Sequence, residues 1–155
     1  MKLEHLADKL LIHAVGNETR RDDGIALYAI EHLKELYPEA DFKTDYQLYL
    51  EDVLEWCSYD RVWLIDASYN NELGTRIAKE VELDFNPSVH HMGPDLLASM
   101  AKHVYQSHVK VFVTELPGTD LSLGEGLSDQ DLSLLTEFKE MVLESNSPIQ
   151  FERID

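Results

Sequence analysis

Cysteine is nearly absent. The chain holds one, Cys57, so no intramolecular disulfide can form, in keeping with a reducing compartment. Positive charge is scarce as well: 13 Lys and Arg against 30 Asp and Glu leave a formal net charge of −17. Such a surface repels nucleic-acid phosphates and anionic membranes, and it favours a basic partner or a cationic metal. No stretch approaches the roughly 20 apolar residues that span a bilayer. Met1 to Asp8 lacks the basic start and long apolar run of a secretory signal, so the expectation is a cytosolic protein with no membrane or nucleic-acid partner. Three catalytic signatures are also missing. There is no HExxH pairing, no GxSxG elbow and no phosphate-cradling glycine loop with lysine, which argues against a common zinc protease, a serine hydrolase and a nucleotide-binding domain.

What is present suits one domain. At 155 residues and 44% apolar side chains, residues 1–155 can bury a single substantial core, and a monomer is the default. Leu10 to Val15 (LLIHAV) is a short apolar run ending on Gly16-Asn17, the turn chemistry expected after a buried strand. Asp22, Asp23 and Gly24 then precede Ala26, Leu27, Ile30, Leu33 and Leu36, one helical face that Pro38 closes. Asp41 to Leu48 predicts a second strand, Leu50 to Cys57 a helix burying Cys57, and Arg61 to Ile65 (RVWLI) a buried strand stopping at Asp66.

Thr75 to Leu83 alternates as an edge strand would, and a histidine-rich loop follows it through His90-His91. Pro94 suits a first helical position ahead of an apolar face through Leu97, Met100 and Ala101. Val109 to Thr114 reads as another strand, and Ser128-Asp129-Gln130-Asp131 as a capping box opening a helix through Val142. Helices alternating with short apolar strands predict an α/β domain: a mainly parallel twisted sheet with helices on both faces, in three layers.

In such a sheet, ligands bind beyond the carboxyl ends of the strands. Asp22 and Asp23 follow the first strand, Asp66 ends the RVWLI strand, and His90 and His91 precede a helix, so all three segments can reach that edge. Two carboxylates and an imidazole suit zinc or nickel with open coordination positions. Each residue also has a plainer reading. Asp23 can stabilise a helix start through its dipole, Asp66 can begin a turn, and His90 and His91 can be solvated loop residues. His13, flanked by apolar residues, reads as a satisfied core histidine, and His5, His32, His103 and His108 as helix or surface positions.

Five segments in order resemble the hydrogenase maturation endopeptidase family. They are Ala14-Val15-Gly16-Asn17 with Arg20-Arg21-Asp22-Asp23-Gly24; Tyr46-Gln47-Leu48 with Glu51; Leu64-Ile65-Asp66-Ala67; Ser88-Val89-His90-His91-Met92-Gly93-Pro94; and Gly124-Glu125-Gly126-Leu127-Ser128. The chain departs from the family at Ala14, where a first glycine is common, and by doubling the histidine. His90 is taken as the ligand because it stands two residues before the aliphatic Met92.

The resemblance implies a phosphorylase/hydrolase-like α/β fold and a metal-dependent endopeptidase that trims the C-terminus of a nickel-loaded hydrogenase large-subunit precursor. It implies Asp23, Asp66 and His90 as catalytic and metal-liganding residues, with the nickel presented by the substrate. Glu51 and His91 become supporting candidates behind the ligands, and Asp22, Asp23 or a water can each serve as base. A non-catalytic module that binds metal or precursor on the same fold is the alternative.

Overall fold

The computed structural model describes residues 9–68, 73–83 and 93–143. Five strands, β1 (Leu10–Val15), β2 (Asp41–Asp45), β3 (Arg61–Ser68), β4 (Gly74–Ile77) and β5 (Lys110–Pro117), form one sheet in the order β2-β1-β3-β5-β4. β1 pairs in parallel with β2 and β3, and β3 with β5, while β4 runs antiparallel to β5 at the edge. The chain therefore steps from β1 outward to β2, then crosses back to β3 on the other side of β1. The carboxyl ends of β1 and β3 flank the point where the direction of winding reverses, which is where open sheets of this kind leave a crevice.

β1 and the first five residues of β3 are buried throughout because helices cover both sheet faces. Alternate residues of each strand supply the two cores. On one face Leu10, Ile12 and Ala14 pack with Trp63 and Ile65 under α1 (Ile25–Leu36) and α4 (Asp129–Leu143). On the other, Leu11 and Val15 join Val62 and Leu64 under α2 (Asp52–Trp56) and α3 (Pro94–His103). The predicted three layers are present. Each fully buried Leu or Ile contributes about 1.5–3 kcal/mol relative to exposure.

Trp63 shows how polar groups enter this interior. Its ring lies 5.7 Å from that of Tyr37 and 6.2 Å from that of Phe138. Its indole N–H donates to Thr114 Oγ1 at 2.7 Å, and that hydroxyl also meets Thr75 Oγ1 at 2.8 Å. The buried donor is satisfied and β4 is tied to β3 across β5.

Element ends differ from the sequence expectation in several places: β3 runs two residues past Asp66 to Ser68, β5 runs to Pro117 rather than Thr114, and α2 spans Asp52–Trp56 rather than Leu50 to Cys57. β2 stops at Asp45 rather than Leu48, because the chain turns toward α2 and the Tyr49 N–H is taken by Asp52 Oδ2 at 2.7 Å. The edge strand stops at Ile77 rather than Leu83. Beyond Ala78, whose N–H still reaches Val111 O, the backbone donors of Lys79 and Val81 turn to Asp95 Oδ1 (2.8 Å) and Ser99 Oγ (3.0 Å) on α3. Those bonds replace the ladder. Cys57 is half-buried at the C-terminal end of α2 rather than sealed in the core. Among the described residues, no helix is long and apolar enough to cross a membrane.

Candidate functional site

The carboxyl edge of the sheet carries a row of acids. Asp45, Val15, Asp66, Glu115 and Gly74 stand side by side on β2, β1, β3, β5 and β4. Residues paired across a sheet share a face, and Val15 packs into the core beneath α2 and α3. Asp45, Asp66 and Glu115 thus lie toward those helices, Asp45 at the end of β2 and the other pair two residues before the ends of β3 and β5.

Asp23 joins them from the loop after β1. Residues Arg21–Gly24 form a 3-10 turn, and Asp23 Oδ2 accepts the Asn17 N–H at 2.9 Å. That turn is held against β1 by a close approach: a Cβ on Gly16 would lie 2.1 Å from the Asp23 carbonyl oxygen, so glycine is required there. Burial, reinforced by the neighbouring Asp23 carboxylate and by Glu115, pushes the Asp66 carboxyl up to about 7, with the Ala67 amide offsetting part of the rise. Two of the three expected ligands therefore converge. His90 and His91 lie outside the described residues, in the segment before Gly93, the N-cap of α3.

Asp22, adjacent in sequence, has a different task. It is fully buried. Its oxygens accept from Thr119 N (2.9 Å), Thr119 Oγ1 (3.0 Å), Asp120 N (2.8 Å), Ser128 N (2.7 Å) and Ser128 Oγ (2.7 Å). Burial acts to raise its pKa, but the Ser128 amide and hydroxyl, then the Asp120 and Thr119 amides, outweigh it and hold the group at about 2. An anion so fully engaged is no general base. It fastens the loop from Pro117 to Ser128 over the site, and Gly124, at φ +144°, lets that loop meet Thr19, Arg20 and Arg21.

A second cluster, unsuspected from sequence, sits below Asp45. Among the described residues, His13, Asp45 and Asp52 bring one ligand atom each within 4.8 Å of one another. The hydrogen bonds favour another use. Trp56 Nε1 can only donate, and it does so to His13 Nδ1 at 3.1 Å. His13 Nε2 therefore carries the proton and donates to Asp45 Oδ2 at 2.8 Å. Burial lowers the His13 pKa against the opposing pull of Asp45, so the ring is neutral with both nitrogens occupied. Lys43 Nζ, 3.0 Å from Asp52 Oδ1 and 3.9 Å from Asp45 Oδ2, supplies the cation. His13 is the satisfied core histidine that its apolar neighbours predict.

Glu115 and Asp45 were missed in the sequence. The signal for Glu115 was available, since VKVFVTEL ends its apolar run on an acid as RVWLID does. Glu51, a supporting candidate, is exposed at the start of α2 with no side-chain cap bond.

No protein-family model matches the sequence, and no curated protein does. Solved structures do. A [NiFe] hydrogenase maturation protease, HycI from Thermococcus kodakarensis KOD1, is 20% identical at a TM-score of 0.62, covering 92% of this chain and 95% of its own. The hydrogenase maturating endopeptidase HybD from E. coli is 18% identical at 0.64, covering 88% and 91%. The fold is that of the hydrogenase maturation proteases. An uncharacterized protein from Wolinella succinogenes shares it at 20% identity and a TM-score of 0.63, covering 90% and 97%. In this chain Asp23 and Asp66 stand at the carboxyl-terminal edge of β1 and β3, where the winding of the sheet reverses.

Proposed function

We propose that this chain belongs to the hydrogenase maturation endopeptidases and removes a C-terminal peptide from the nickel-loaded precursor of a nickel-iron hydrogenase large subunit. The observation that carries the reading is the convergence of Asp23 and Asp66 at the winding reversal, with Asp66 held near 7 by burial and by its neighbour. Two carboxyls crowded in this way are relieved by a divalent cation, and the shared fold supports the reaction class.

Asp23, Asp66 and His90 would complete the coordination of a nickel ion that the precursor brings with it. Nickel is then part of the substrate, and an unloaded precursor is left uncut. The ion supplies polarisation of the scissile carbonyl or a more acidic water. In the hydrolysis the water oxygen bonds to the carbonyl carbon, the C–N bond breaks, and the proton lost by water ends on the leaving amine. The residues of this chain orient the bond beside the ion. Asp22 supports the loop and exchanges no proton. In this reading the protein acts as a cytosolic, single-domain monomer.

The experiment is incubation of the purified protein with nickel-loaded and nickel-free precursor, followed by intact mass spectrometry. Release of a defined C-terminal peptide from the loaded form alone is expected. Efficient processing of the unloaded form would end the nickel-recognition reading, and no cleavage of either would leave only binding.

A further inference from the structure

Among the described residues, four large apolar side chains stand exposed in one short stretch: Tyr46 at 63%, Tyr49 at 40%, Leu50 at 45% and Leu54 at 57%. Single exposed apolar residues are ordinary, but a cluster of them marks a surface that another molecule covers. The local fold explains why the cluster faces outward. α2 buries Val53 and Trp56 against the sheet. The turns that lead into it, closed by Asp52 N–H to Tyr49 O and Val53 N–H to Leu50 O, leave Leu50 and Leu54 on the outer side, where polar residues are expected.

The cluster adjoins the crevice. Tyr46 and Tyr49 line a cleft of about 340 Å³ that reaches Gly16 past Leu27 and Asp45. Gly16 is the residue packed against the Asp23 carbonyl oxygen, so the cleft joins the turn that carries Asp23 to the apolar cluster. Glu18, Glu51 and Glu55 surround this surface and are exposed. A two-fold dimer formed here would set those acids of each copy against the same face of the other. Chains with a net charge of −17 would gain little from that contact, and an anionic membrane is repelled for the same reason. The face suits a different protein, one with an apolar patch edged by lysine and arginine.

We propose that this cluster and cleft form the docking face for the body of the hydrogenase large-subunit precursor. The identity of the partner rests on the endopeptidase reading. A substrate whose tail enters at Asp23 and Asp66 lays its body over the adjoining surface, and here that surface is apolar at its centre and acidic at its rim, the arrangement of a protein interface.

The test uses the nickel-free precursor as probe, because that form is left uncut and a contact with its body does not need the ion. Surface plasmon resonance should show it binding the whole protein, and binding Leu50→Asp and Leu54→Asp at least about tenfold more weakly. Leu143→Asp, which alters a similarly exposed leucine at the end of α4, should bind as the native protein does. Leu54→Gln, uncharged and compatible with a helix, should weaken binding in the same direction if an aspartate variant does not fold. With loaded precursor, the Leu50 and Leu54 variants should raise KM by the same factor and leave kcat within about twofold. Binding that ignores both leucines, or cleavage of loaded precursor by a protein that does not bind the unloaded form, would overturn the docking face and leave the endopeptidase reading intact. Weakened binding by both variants, with no cleavage of the loaded form by the native protein, would keep the docking face and sink that reading instead. A dimer in sedimentation equilibrium that Leu54→Asp splits would overturn the proposal by assigning the face to a second copy.

Discussion

The Asn17 N–H donates to the Asp23 carboxylate at 2.9 Å, so the turn that ends β1 also aims the acid that faces Asp66. Chain reversal and site geometry rest on the same few atoms, which makes the turn a sensitive place to intervene.

Gly16→Ala places a Cβ 2.1 Å from the Asp23 carbonyl oxygen. The backbone of the 3-10 turn has to move, at a cost of about 2 kcal/mol or more. Thermal unfolding should show a lower Tm, and cleavage of loaded precursor should fall further than the loss of folded protein explains.

Asp66→Asn should abolish cleavage and stabilise the unloaded fold. The folded pKa, about 7 against an ordinary 3.8, is raised, so the stability linked to this group is full below the unfolded value and is lost as pH rises through 7. The variant should therefore exceed the native protein by on the order of 2 kcal/mol at pH 8 and match it near pH 4. Urea denaturation at the two pH values checks this, and an equal gain at both would contradict it.

Asp22→Ala leaves the donors of Thr119, Asp120 and Ser128 unmet. A loss of about 3–5 kcal/mol is expected, with faster amide exchange at Ser128. The Asp22 pKa is lowered to about 2, so its contribution is present above the unfolded value and is lost as pH falls through 2, giving a stabilising charge that resists mild acid.

Trp56→Phe removes the donor to His13 Nδ1. Nitrogen-detected NMR of the native protein should show His13 neutral and protonated at Nε2 even somewhat below pH 6.5. The variant should lose about 1–2 kcal/mol and the single tautomer. A charged His13 in the native protein at neutral pH would refute the arrangement.

Asp23→Ala removes a half-exposed side chain and with it the acceptor of the Asn17 N–H. Cleavage of loaded precursor should drop at least about a hundredfold, far more than the loss of about 1 kcal/mol expected for that one bond explains. Unimpaired processing would remove Asp23 from the site.

The layers were legible in the residues alone. The runs in β1, β3 and β5 are apolar without alternation, as strands covered on both faces must be, and the spacing of Ile30 and Leu33 marks the inward face of α1. The residue pattern also brought Asp23 and Asp66 to one edge, because Asp23 stands in the loop that follows the β1 run and Asp66 follows the RVWLI run near the carboxyl end of β3. Which neighbour does what was settled by contacts between distant parts of the chain. Asp22 and Asp23 are indistinguishable as text, yet donors about a hundred positions further along the chain claim Asp22 and leave Asp23 to the crevice. The same bond to Ser128 breaks the capping box and leaves Asp131 Oδ2 without a hydrogen-bond partner among the described residues. Register, likewise, put Glu115 beside Asp66 and Asp45 two strands away in the same row. Such roles depend on competition for a few donors among residues distant in sequence, and local pattern carries no record of which competitor wins.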